Sequence, residues 1–141
     1  MPYREKIAWL SLIAMAVTFG PYFMEVAVDP FRAVPLPNLP QMGLFAATTL
    51  TQALILGLGR LYLRIRSSED AKTPPDERDL GIERRSIYAA YFVLLTGMIF
   101  VGCVMPFTSG GWKLVNAAVA MIVLAELTHY GVVAVSYRRQ A

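Results

Sequence analysis

Apolar positions in this chain gather into four long runs, and charged positions fill the gaps between them. The runs cover 7–28 ("IAWLSLIAMAVTFGPYFMEVAV"), 43–65, 87–107 ("IYAAYFVLLTGMIFVGCVMPF") and 112–136. Each is close to the ~20 residues with which a helix crosses ~30 Å of hydrocarbon. The pattern predicts an all-α integral membrane protein. Two helical hairpins build a four-helix bundle, and residues 1–141 form a single membrane domain. Segment 29–42 becomes an outer loop and 66–86 a cytoplasmic loop. Four prolines within 29–41 exclude a regular helix there and suggest a small cap over the outer helix ends. "TSGG" (108–111) reads as a tight turn, with Trp112 beside it as an interfacial anchor. Pro21 is expected to bend the first helix. Small residues at four-residue spacing, Ala16/Gly20 and Ala53/Gly57, suggest close helix approaches.

Composition agrees with this reading. Hydrophobic residues make up 56% of the chain and charged residues 16%, and the mean hydropathy is +0.49. The first run follows a basic start but is too long for a leader's apolar region, and no small-x-small site follows it, so a retained helix is expected. A single cysteine, Cys103, excludes an intramolecular disulfide and a cysteine-pair metal site.

The net charge of +3 invites a nucleic-acid reading, which the placement of the charges argues against. With the N-terminus inside, Arg4, Lys6, Arg60, Arg64, Arg66, Lys72, Arg78, Arg84, Arg85, Arg138 and Arg139 fall on the inner side, and only Arg32 and Lys113 fall outside. That bias predicts both termini in the cytoplasm. The basic excess then serves orientation and anionic lipid, and no direct nucleic-acid binding is expected. The hairpins are weakly alike ("REKIAWLSL" and "ERRSIYAAY"; "YLRIR" and "SYRRQ"), which leaves duplication open because positive-inside flanks alone produce such likeness.

Few polar residues lie within the runs. Glu126 and His129, the only histidine, are about one turn apart on one helix face. Depth along the helices places Arg60 near them, so an Arg60–Glu126 pair is the economical arrangement, with His129 one turn deeper. Such a cluster reads either as a structural salt bridge between hairpins, made pH-sensitive by the histidine, or as a proton or ion site. Glu-x-x-His is also a di-iron fragment, but that site needs a second copy and two further glutamates. No nucleophilic triad and no phosphate loop is present. No cofactor, no metal and no enzymatic activity are expected.

The inner loop is dense in both signs of charge. "TPPDERD" reads as a helix start, with Thr73 or Asp76 able to cap and acids in the first turn. The third helix should therefore begin two or three turns before the bilayer. The alternating charge of "DERDLGIERR" could hold another protein's surface. Its candidate partner-binding residues are Asp76, Glu77, Arg78, Asp79, Arg84 and Arg85.

"PDERDLGIERRSIYAAYFVLLTG" followed by "LAELTHYGVVAVSYRR" resembles a family of small four-helix bacterial membrane proteins of unknown function. The shared elements are an Asp-Glu-Arg-Asp motif before the third helix (Asp76, Glu77, Arg78, Asp79) and a Leu-Ala-Glu-x-x-[Arg/His]-Tyr stretch in the fourth (Glu126, His129, Tyr130). A terminal Tyr-Arg-Arg follows (Tyr137, Arg138, Arg139). The likeness covers the second half of the chain and the first half mainly by layout. It implies a protein of the bacterial inner membrane that binds or restrains a small cytosolic helix-turn-helix regulator. The leading expectation is a non-enzymatic regulator or scaffold working through 67–86 and the C-terminal basic cluster. Alternatives are a small oligomeric transporter or proton channel using Glu126 and His129, and an accessory subunit of a larger membrane complex. The partners expected are the lipid bilayer, a cytosolic or membrane protein, and a second copy of the chain.

Overall fold

The computed structural model describes residues 2–28 and 37–139. Most of the expected outer cap, Arg32 included, lies outside the described residues. Four helices are long and apolar enough to cross a membrane: α1 (Tyr3–Val28), α2 (Leu39–Arg66), α4 (Glu77–Ile99, continuing to Phe107) and α5 (Trp112–Arg139). A short helix, α3 (Ser68–Lys72), lies within the segment expected as the cytoplasmic loop.

Local chemistry explains where the helices start and stop. Asn38 caps α2 reciprocally: its Oδ1 accepts from the Gln41 N–H at 3.1 Å, and its Nδ2 donates to Gln41 Oε1 at 3.4 Å. That cap starts the helix four residues before the apolar run. Asp76, not Thr73, caps α4, accepting from the Asp79 N–H at 2.7 Å. Near the other end of this helix Pro106 has no N–H to give and its ring crowds the carbonyl of Gly102. The backbone widens there into a π-helical turn (Phe100–Val104) and closes as a 3-10 turn (Met105–Phe107). Gly111 takes φ 58°, the left-handed conformation that lets the chain reverse into α5.

The four helices expected as a bundle are laid out as a bent row in the order α2, α1, α5, α4. α2 does not pack along α4 or α5 to any comparable extent. The consequence is that α1 is the most buried span and α2 the least, at 33% and 6% of their apolar windows. The inward positions of α1 recur at helical spacing: Ala8, Ser11, Met15, Thr18 and Tyr22. Two polar contacts seat its neighbours. Thr18 donates to Gln52 of α2 at 2.7 Å, and Tyr22 donates to Asn116 of α5 at 2.7 Å while its ring meets Phe45 of α2 edge-on.

The small-residue expectation is corrected. Positions Gly20 and Gly57 have open space where a side chain would begin. The close approaches are at Gly59, where an added Cβ would lie 2.6 Å from the Leu10 side chain, and at Gly97, packed on Met121. The face of α2 turned to α1 runs through Phe45, Gln52 and Gly59, a heptad spacing, which carries Ala53 and Gly57 away from it.

Candidate functional site

Polar chemistry concentrates where α1 begins, α4 begins and α5 ends, referred to below as the charged end. Asp79 is its centre. The carboxylate accepts a hydrogen bond from the Tyr137 hydroxyl of α5, and its other oxygen lies 3.3 Å from Arg4 Nε of α1. Three helices are thus fastened to one side chain. Tyr137 is buried and its ring closes the joint. Alongside, Glu5 is buried with Arg138 beside it at a long 3.9 Å, and that guanidinium lies 4.8 Å above the Trp9 ring. Arg138 is largely exposed, so solvent screens the ion pair and the cation–π contact contributes about 0.5–1 kcal/mol. Lys6 Nζ donates to Ser67 Oγ at 3.2 Å and so ties α1 to the linker.

The Asp-Glu-Arg-Asp motif therefore divides by role. Asp76 caps a helix and Asp79 joins three, while Glu77 is exposed. Arg84 is exposed too, and Arg78 and Arg85 border the groove between α4 and α5. Of the C-terminal cluster, Tyr137 and Arg138 belong to the joint and Arg139 borders the same groove as Arg85.

The expected Arg60–Glu126 pair is not formed. Arg60 instead donates to the Tyr130 hydroxyl at 2.9 Å, reaching from α2 to α5. Tyr130 lies one turn past Glu126 on the same face of α5. Glu126 is exposed and makes neither ion pair nor hydrogen bond among the described residues. His129 lies with its ring edge-on to Tyr130, centroids 4.8 Å apart. It faces a cleft of about 160 Å³ between α1, α4 and α5, which Arg4, Asp79, Glu83 and Tyr137 also border. Of the predicted trio, His129 borders this cleft, Arg60 meets Tyr130, which borders it too, and Glu126 is exposed.

Reading the chain one residue at a time missed Thr18 with Gln52, and Arg4 and Glu5 as more than orienting charges. The depth argument used for Arg60 finds the first pair as well, since Thr18 and Gln52 lie at similar distances from the ends joined by the first loop. No group of three or more metal-ligating side chains occurs among the described residues. Comparison with family models, with curated proteins and with solved structures finds no match.

Proposed function

We propose that this chain is a non-enzymatic, multi-pass membrane protein with both termini in the cytoplasm, acting as a regulator or scaffold whose charged end presents a protein-binding platform. One observation carries the reading. Asp79 holds the starts of α1 and α4 and the end of α5 together, while Glu77 and Arg84, on either side of it in the chain, stay exposed. A helix start that projects beyond its apolar run and is anchored at its base suits presentation of a charge pattern to a partner. The resemblance in the second half of the chain favours a small cytosolic helix-turn-helix regulator as that partner and the bacterial inner membrane as the location. The partner surface is narrower than the whole motif: it comprises Glu77, Arg84 and the acidic and basic positions of α3.

The test is affinity capture from native membranes in mild detergent. Glu77→Lys combined with Arg84→Glu is expected to remove a partner that the parent chain retains. A partner list identical for both proteins would end the platform reading.

A second reading has an observation of its own. Glu126 is near the middle of α5, without a bonded partner among the described residues, and a lone carboxylate in hydrocarbon costs about 2.5–3.5 kcal/mol on insertion scales. A small oligomeric transporter or proton channel would use it. That reading expects proton or solute flux in proteoliposomes, abolished by Glu126→Gln. Flux that persists unchanged in the variant, or no flux across a broad panel, counts against it.

A further inference from the structure

The charges of α4 separate onto two faces. Asp79 and Glu83, one turn apart, border the cleft that holds His129. Arg78 and Arg85, two turns apart, border a groove on the other side, against Ser136 of α5. From Arg85 and Ser136 a second cavity continues along α5 to Arg139, walled by Val132 and Val135. The two adjoining spaces measure about 200 and 340 Å³. Among the described residues no carboxylate side chain borders either one.

We infer that this groove seats the phosphate of an anionic phospholipid, with Arg85 and Arg139 holding the headgroup and the Val132–Val135 wall receiving the start of an acyl chain. The inference rests on the membrane reading above. Its physical basis is the charge that is left over. Arg4 and Arg138 at this end have carboxylates beside them, whereas Arg85 and Arg139 form no ion pair among the described residues. Two guanidinium groups bordering one groove give it a positive potential that favours an anion between them. The guanidinium fork matches phosphate oxygens with paired hydrogen bonds, which a lysine cannot do. At the end of a membrane-spanning helix the anion at hand is a lipid phosphate, and basic pockets between such helices bind lipid headgroups. The floor is kept open by Gly131 and Gly81, where a Cβ would meet nothing within 4 Å. An apolar wall directly beside the arginines suits a lipid and gives nothing to a free phosphate ion.

The experiment is native mass spectrometry of the purified chain in mild detergent, with phosphatidylglycerol or phosphatidylcholine added. Alkaline extraction of source membranes comes first. Release of the chain into the soluble fraction would refute the membrane reading and, with it, this site. For the extracted protein, retention of phosphatidylglycerol is expected to exceed that of phosphatidylcholine by about tenfold. Arg85→Gln with Arg139→Gln should bring the two near parity. Gly131→Leu should do the same, because it fills the groove at unchanged charge and improves helix propensity. Arg64→Gln with Arg66→Gln removes the same charge elsewhere and should leave the preference intact. Equal loss in that control would assign the preference to general surface charge and overturn the site. Displacement of the lipid by excess inorganic phosphate would make a soluble phosphate the ligand, and would overturn it too. Thermal midpoints matching the parent's establish that each variant is folded.

Discussion

Asp79→Ala is expected to lower stability by about 2–3 kcal/mol and to loosen the starts of α1 and α4 and the end of α5 together. The aspartate joins two partners that sit on different helices, Tyr137 and Arg4. Hydrogen bonds to a charged group contribute about 1.5–3 kcal/mol each in mutational series. The Arg4 side chain is 35% exposed and that of Asp79 20%, so the ion pair adds little beyond the Tyr137 bond. Alanine also leaves the hydroxyl of a buried tyrosine without an acceptor. For a chain of this size the loss corresponds to a fall of about 10 °C in thermal midpoint, measured in mild detergent. Asp79→Asn keeps an acceptor for Tyr137 and should lose about half as much. Tyr137→Phe combined with Asp79→Ala should cost scarcely more than Asp79→Ala alone, because both changes remove the same bond. Additive losses would show that the two side chains act independently and would dismiss the joint. Amide hydrogen exchange supplies the local readout: protection should drop in the first turns of α4 while the middle of α5 is unaffected.

Gly97→Leu should separate the second hairpin, with a loss of about 3 kcal/mol or failure to fold. An added Cβ alone would stand 2.9 Å from Met121 Cβ, the base of a side chain rather than its mobile tip, so no simple rotation relieves it. Overpacking of a closed interface costs about 1–3 kcal/mol, and the leucine adds three further carbons to the clash. Gly97→Ala should be destabilising as well, and Met121→Ala should recover much of that loss in the double variant. Gly20→Ala and Gly57→Ala offer the contrast. Nothing lies within 4 Å of either position, so each should be neutral or stabilising by the helix propensity of alanine, about 1 kcal/mol at most. Thermal midpoints of these four single variants and the Gly97→Ala/Met121→Ala double variant decide the matter. Equal effects at Gly57 and Gly97 would mean that the α4–α5 approach is not the close one.

The amphipathic signal that orients a helix in water is weak here, and its weakness explains which residues were misread. Lipid is as apolar as a leucine-rich interface, so a face turned to hydrocarbon and a face turned to a neighbour carry the same residues. Ala53 and Gly57 looked like a packing motif for that reason, whereas Gly59, two residues on, makes the approach. Depth is a different quantity. It follows from counting residues at a fixed rise, and it placed Arg60 at the right level for the fourth helix. Its precision is about one turn: Tyr130, four residues past Glu126 on the same face of α5, receives the guanidinium.

What the sequence determined by itself is the one-dimensional part of this protein. Run lengths define four helices long enough to span a membrane, and "TPPDERD" marks the start of α4 with Thr73 and Asp76 both able to cap it, of which the fold uses Asp76. Only the tertiary structure decided how the helices are turned and ordered: the row with α1 in its interior, Asp79 drawn into a three-helix joint, and Glu126 left outside it. Those choices depend on which pairs of faces fit at contact distance, a comparison between segments far apart in the chain that no property of a single segment contains.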